Sequence, residues 1–99
     1  MQYATLSIPT DHPAYAGHFP GRPILPGVVL LDQAQLVIEK ACGVLLGGLS
    51  LAKFHSPVTP GEGLRIAYRQ DAAMVVFTIL HGERKVADGK FIITPESPA

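Results

Sequence analysis

At 99 residues, with 47% of them apolar and 8 basic side chains matched by 8 acidic ones, the chain has material for one core and no net charge. That length fits a single domain over residues 1–99, and the charge balance lacks the basic excess of a nucleic-acid binder. No apolar run is long enough to cross a bilayer, so no membrane insertion is expected.

The opening residues MQYATLSIPTD show no basic head followed by an apolar stretch, the mark of a signal peptide. Cys42 is the single cysteine, which rules out an internal disulfide and suits a reducing compartment. The expectation is a cytoplasmic protein. A chain this short buries a modest share of its surface, and association with another subunit is a common remedy.

Gln2–Pro9 alternates, with Ala4, Leu6 and Ile8 on one side and Tyr3, Thr5 and Ser7 on the other, which predicts a half-buried strand. Thr10–Pro26 holds four prolines and two glycines and reads as a stiff loop anchored by Tyr15, Phe19, Ile24 and Leu25. Gly27–Cys42 is free of proline and predicts a helix, with Leu31, Ala34, Gln35, Ile38 and Cys42 at helical spacing and Gly43 as its stop. Its start, Val28-Val29-Leu30-Leu31, is apolar all round, so the first turns are expected to be buried on every side. Val44–Gly48 reads as a short Gly-rich passage. Strands are expected over Leu49–Val58, Leu64–Gln70, Ala73–Leu80 and Lys85–Thr94, with turns at Thr59–Glu62 and His81–Arg84. One long helix followed by a run of strands defines an α+β fold, and a helix apolar on most faces calls for a curved sheet around it.

Four histidines are present, at 12, 18, 55 and 81, and no two have the i, i+4 spacing of a helical metal site. His12 and His18 with Asp11 nearby would make only an unspecific metal site. His18 is set between Gly17 and Phe19-Pro20-Gly21, a rigid frame that suits a general base; the alternative is a side chain that caps a turn. Asp32 falls about one and a half turns into the helix, too deep for an N-cap. An acid on a buried helix must be paired, hydrogen-bonded or protonated; the alternative is a helix face open to solvent, in the company of Gln33 and Gln35. Pro26-Gly27 opens the helix, where unpartnered N–H groups carry partial positive charge, so Gly27 is a candidate oxyanion hole or simply a helix start.

The run His18-Phe19-Pro20-Gly21-Arg22-Pro23-Ile24-Leu25-Pro26-Gly27-Val28-Val29-Leu30-Leu31-Asp32 resembles the signature of the 3-hydroxyacyl-[acyl-carrier-protein] dehydratases, with an acid fourteen residues after the histidine. Lys53-Phe54, leading into Pro57-Val58 and Pro60-Gly61-Glu62, resembles that family's second landmark. The resemblance covers nearly the whole chain. It implies a hotdog fold, an antiparallel sheet wrapped around one central helix. It implies catalysis by His18 of one subunit and Asp32 of another, at the interface of a homodimer or a trimer of dimers. It places the oxyanion donor at Gly27, an aromatic near the tunnel mouth at Tyr15, and substrate contacts at Phe19 and Val28. It implies an acyl carrier protein as partner, with Arg22, Lys53 or Arg65 facing it or standing as solvated charges, and no cofactor or metal.

The implied reaction turns a (3R)-hydroxyacyl thioester into the trans-2-enoyl thioester in fatty-acid or aryl-polyene and polyketide-type synthesis. The chain departs from the broad-range dehydratases in having Asp rather than Glu. It also lacks the N-terminal extension of the decanoyl type, and looks closest to the short dehydratases of aryl-polyene clusters. Two other readings remain on the same fold: an acyl thioesterase, and a non-catalytic subunit that binds acyl carrier protein.

Overall fold

The computed structural model describes residues 1–8, 24–59 and 61–94. In chain order the elements are β1 (Gln2–Leu6), α1 (Gly27–Cys42), β2 (Leu46–Phe54), β3 (Leu64–Asp71), β4 (Met74–His81) and β5 (Arg84–Ile93). The five strands form one antiparallel sheet in the order β1-β3-β4-β5-β2. This single sheet with one helix against it is the expected α+β hotdog arrangement.

The core sits between α1 and the inner face of the sheet. Strand alternation turns Leu64, Ile66 and Tyr68 of β3, Val75, Phe77 and Ile79 of β4, and Ala87 and Phe91 of β5 inward. The Phe77 and Phe91 rings stack with centroids 4.8 Å apart. The helix answers with Leu30, Ala34 and Ile38, one stripe at i, i+4, i+8. Full burial of each such aliphatic side chain stabilises by roughly 1.5–3 kcal/mol.

α1 begins and ends at the expected residues. Gly43 closes it in the left-handed conformation (φ 67°), and its N–H donates to the Glu39 carbonyl. Its opening corrects the expectation of burial on every side: Val28 is 65% exposed, and Val29 and Leu31 are half-buried. The core-facing stripe begins at Leu30, and Val28 lies on the opposite side of the helix with Asp32 and Leu36, which is 59% exposed.

Two strands differ from expectation at their ends. β1 stops at Leu6, because Leu6 pairs with Leu64, the first residue of β3, and the ladder has no partner beyond it. β2 starts at Leu46 rather than Leu49 and stops at Phe54 rather than Val58. Its start is set by the helix: the Glu39 carboxylate accepts the Leu46 N–H (2.8 Å), and the Gln35 amide donates to the Leu46 carbonyl (3.4 Å). The glycines at 47 and 48 lie inside the strand, where the register with β5 shifts between Leu46 and Gly48. The remaining strand ends agree to within one residue.

Candidate active site

Of the expected site residues, Gly27, Val28 and Asp32 are placed; Tyr15, His18 and Phe19 lie outside the described residues. A cavity of about 410 Å³ opens at the start of α1, between that helix end and the segment that follows β2. Leu25, Leu30, Phe54 and Val58 give it apolar walls, Gly27 lies at its edge, and His55 and Ser56 bring polar groups.

Gly27 meets this cavity with the uncapped end of the helix. Pro26 precedes it in extended backbone (φ −60°, ψ 142°), and the Pro26 carbonyl accepts the N–H groups of Val29 (3.1 Å) and Leu30 (3.3 Å). No side chain caps this end, and the first turn holds no acid. The partial positive charge of the helix start is therefore uncompensated among the described residues, which suits an oxygen that gains negative charge. The absence of a side chain at Gly27 has a second cause. A Cβ built there would fall 2.6 Å from Cζ and 2.7 Å from Cε1 of Phe54, so glycine lets the ring lie against the helix start.

Asp32 corrects the picture of an acid on a buried helix. It is exposed, with no hydrogen bond or ion pair among the described residues, on the stripe Val28-Asp32-Leu36-Lys40 that faces away from the core. The solvent-facing alternative holds for the single chain. Val28 and Leu36, both exposed, flank Asp32 along that stripe, and the edge strand β2 adds Leu49, Leu51 and Phe54, also exposed.

The cavity wall at residues 55–58, with Thr59 and Glu62 beyond it, is stitched to its surroundings by polar contacts. The N–H groups of His55 and Ser56 both donate to the Val86 carbonyl (2.8 and 3.3 Å), and the Leu25 N–H donates to the Val58 carbonyl (2.9 Å). His55 Nε2 lies 2.7 Å from Asp88 Oδ2, with Lys85 Nζ at 3.6 Å from the same oxygen. The His55 hydrogen bond, opposed by partial desolvation and helped by the charges of His55, Lys85 and Lys53, holds the Asp88 carboxyl below its ordinary range. Arg84 donates to the Glu62 carboxylate and to the Pro57 carbonyl (3.5 Å), and the Thr59 hydroxyl donates to Glu62 (2.7 Å). Partial burial pushes the Glu62 carboxyl up, but the hydrogen bonds from Thr59 and Arg84 and the Arg84 charge outweigh it, and it sits below its ordinary range.

These pairs carry no local signal in the sequence. Asp88 is 33 residues from His55, and only the pairing of Lys53 with Asp88 in the β2–β5 ladder brings the two together. Of the basic residues singled out by sequence, Lys53 is exposed, Arg65 lies over the Tyr3 ring (5.1 Å to its centroid), and Arg22 falls outside the described residues. Burial pushes the Cys42 thiol up, which keeps it protonated and a poor nucleophile.

Residues 2–90 match the family model for ApeI-like proteins, described as ApeI dehydratase. Among curated proteins, the chain is 37% identical over 78 residues to 3-hydroxyacyl-[acyl-carrier-protein] dehydratase FabZ of Chlamydia trachomatis, a match over 64% of this chain and 48% of that protein. It is 30% identical over 106 residues to the FabZ dehydratase of Legionella pneumophila, covering 89% of this chain and 68% of that one. The chain thus spans about half the length of the chlamydial relatives. Among solved structures, the dehydratase heterocomplex ApeI:P from Xenorhabdus doucetiae has the same fold, with a TM-score of 0.79 at 24% identity over 94% of this chain and 86% of that one. An uncharacterized protein from Erwinia carotovora subsp. atroseptica matches with a TM-score of 0.69 at 30% identity, over 94% and 80% of the two chains.

Proposed function

The chain belongs to the ApeI-like dehydratase family, and on that premise we propose that it removes water from a (3R)-hydroxyacyl thioester carried by an acyl carrier protein, giving the trans-2-enoyl thioester. The observation that carries this reading is the uncapped start of α1 at Gly27, at the edge of a cavity with apolar walls. The thioester carbonyl binds the helix-start N–H, where a preorganised donor is worth roughly 3 kcal/mol to a developing enolate. His18 takes the proton from C2. The C3–O bond then breaks, and Asp32 of the partner subunit gives the proton with which the hydroxyl leaves as water. The acyl chain lies along the apolar walls, with Tyr15, Phe19 and Val28 as further contacts.

The exposure of Asp32 supports a site shared between two subunits. A catalytic acid that faces away from its own core can be enclosed only by something that covers that face. The exposed Val28, Leu36, Leu49 and Leu51 and the edge of β2, unpaired among the described residues, suit such a cover. The assembly proposed is a homodimer, alone or as a trimer of dimers, in the cytoplasm.

The test is to offer the protein a 3-hydroxyacyl and a plain acyl group, each on a carrier protein. Enoyl product from the first, with the second left intact, is the expected result. Free thiol from either would favour a thioesterase. No product from either would favour a binding subunit.

A further inference from the structure

His55 stands in the cavity wall, yet the family signature gives it no part. Its side chain is 38% exposed, so the ring sits where the cavity meets solvent. Asp88 accepts from Nε2, because a carboxylate held ionised can only accept; Nε2 therefore carries the ring proton. Nδ1 is then the ring's second polar atom, and it takes no partner from the described residues. The Asp88 contact orients the ring, and the bonds from the His55 and Ser56 N–H groups to Val86 fix the backbone that carries it. Its neighbours in the wall offer less: the Ser56 hydroxyl donates to the Lys85 carbonyl (3.4 Å), and Pro57 has no N–H.

A fixed polar atom at the mouth of an apolar cavity selects a ligand with a hydrogen-bonding group at that depth. An acyl group delivered as a thioester enters ahead of a thiol arm, and the arm of a carrier protein or of coenzyme A contains amide groups. We propose that His55, oriented by Asp88, is a positioning residue whose Nδ1 hydrogen-bonds an amide group of this thiol arm. The inference rests on the dehydratase reading and adds to it the part of the substrate that the wall grips. Carrier-bound and coenzyme-bound thioesters share this chemistry.

The experiment compares one 3-hydroxyacyl group on three thiols: the carrier protein, pantetheine, and a simple alkyl thiol without amides. His55→Ala is expected to raise KM about five- to tenfold for the two amide-bearing thioesters, as loss of one hydrogen bond would, with kcat within about twofold and no change in kcat/KM for the alkyl thioester. Loss on the carrier alone would place the contact with the protein rather than the arm and overturn the proposal. Equal loss on all three thioesters would assign His55 to the wall's structure and also overturn it. A second measurement needs no turnover: titration of the intact protein with pantetheine while the ring nitrogens of His55 are followed by 15N NMR. A shift confined to Nδ1 is expected, and it would be reduced in Asp88→Asn. An unmoved Nδ1 overturns the proposal whether or not the protein dehydrates anything, whereas an absence of enoyl product with a shifted Nδ1 overturns only the dehydratase reading.

Discussion

The cavity wall and the outer stripe of α1 are finished to different degrees. Along residues 55–59 and at Glu62 the polar side chains find partners within the chain: His55 with Asp88, Glu62 with Thr59 and Arg84, Ser56 with a backbone carbonyl. The stripe Val28-Asp32-Leu36 has two exposed apolar side chains around an acid that meets no partner among the described residues. Residues in the first region act through the chain's own architecture. If the proposed partner subunit covers the second, substitutions there should spare the fold and strike activity or assembly.

The largest effect expected from this contrast is at Asp32. Asp32→Asn and His18→Ala should each reduce dehydration by about 10²–10⁴-fold, the usual worth of a positioned acid or base, with the melting temperature nearly unchanged. Mixing the two inactive variants and allowing subunits to exchange should restore part of the activity, because one composite site in the mixed dimer holds both native residues. A failure to recover after exchange is verified by mass would place His18 and Asp32 in separate sites.

The two sides of the helix can be set against each other directly. Ile38→Ala, on the buried stripe, should cost about 2–5 kcal/mol in a denaturant titration, through lost transfer energy and the cavity left behind. Leu36→Lys, on the exposed stripe, should leave the monomer's stability within about 0.5 kcal/mol and weaken association, read by sedimentation as a shift toward monomer at micromolar concentration. If Leu36→Lys instead unfolds the chain, the outer stripe belongs to its own core.

The same contrast explains what could be read from sequence. The bounds of α1 were legible, since Pro26 and Gly43 mark them chemically and no residue between forbids a helix. The strands β3, β4 and β5 were legible to within one residue at each end, because apolar and β-branched residues set them apart from the polar turn between β4 and β5. The start of β2 was not, because what holds Leu46 is Gln35 and Glu39, a tertiary contact hidden behind two glycines. Nor was the exposure of Val28: an apolar run shows that a side chain avoids water, not whether its own chain or another covers it. At the site, the signature pointed to Gly27 and Asp32, while His55 and Asp88 needed the ladder to bring them together.

The smallest effect lies in the finished region and concerns acid. Glu62 and Asp88 both sit below their ordinary values of 4.5 and 3.8. A carboxyl with a depressed folded-state value binds its proton more readily when the chain is unfolded. Its contribution is therefore complete above the unfolded value and is lost as the pH falls through the folded one. The melting temperature should be level from pH 7 to about 5 and decline below about 4.5 as these pairs are protonated. Glu62→Gln and Asp88→Asn should each start from a lower melting temperature at pH 7 and decline less steeply, so that their curves approach the parent's near pH 3. Curves that run parallel to the parent's throughout would mean that the wall is held by its backbone contacts to Val86 and Leu25 alone, and that its polar pairs serve the cavity rather than the fold.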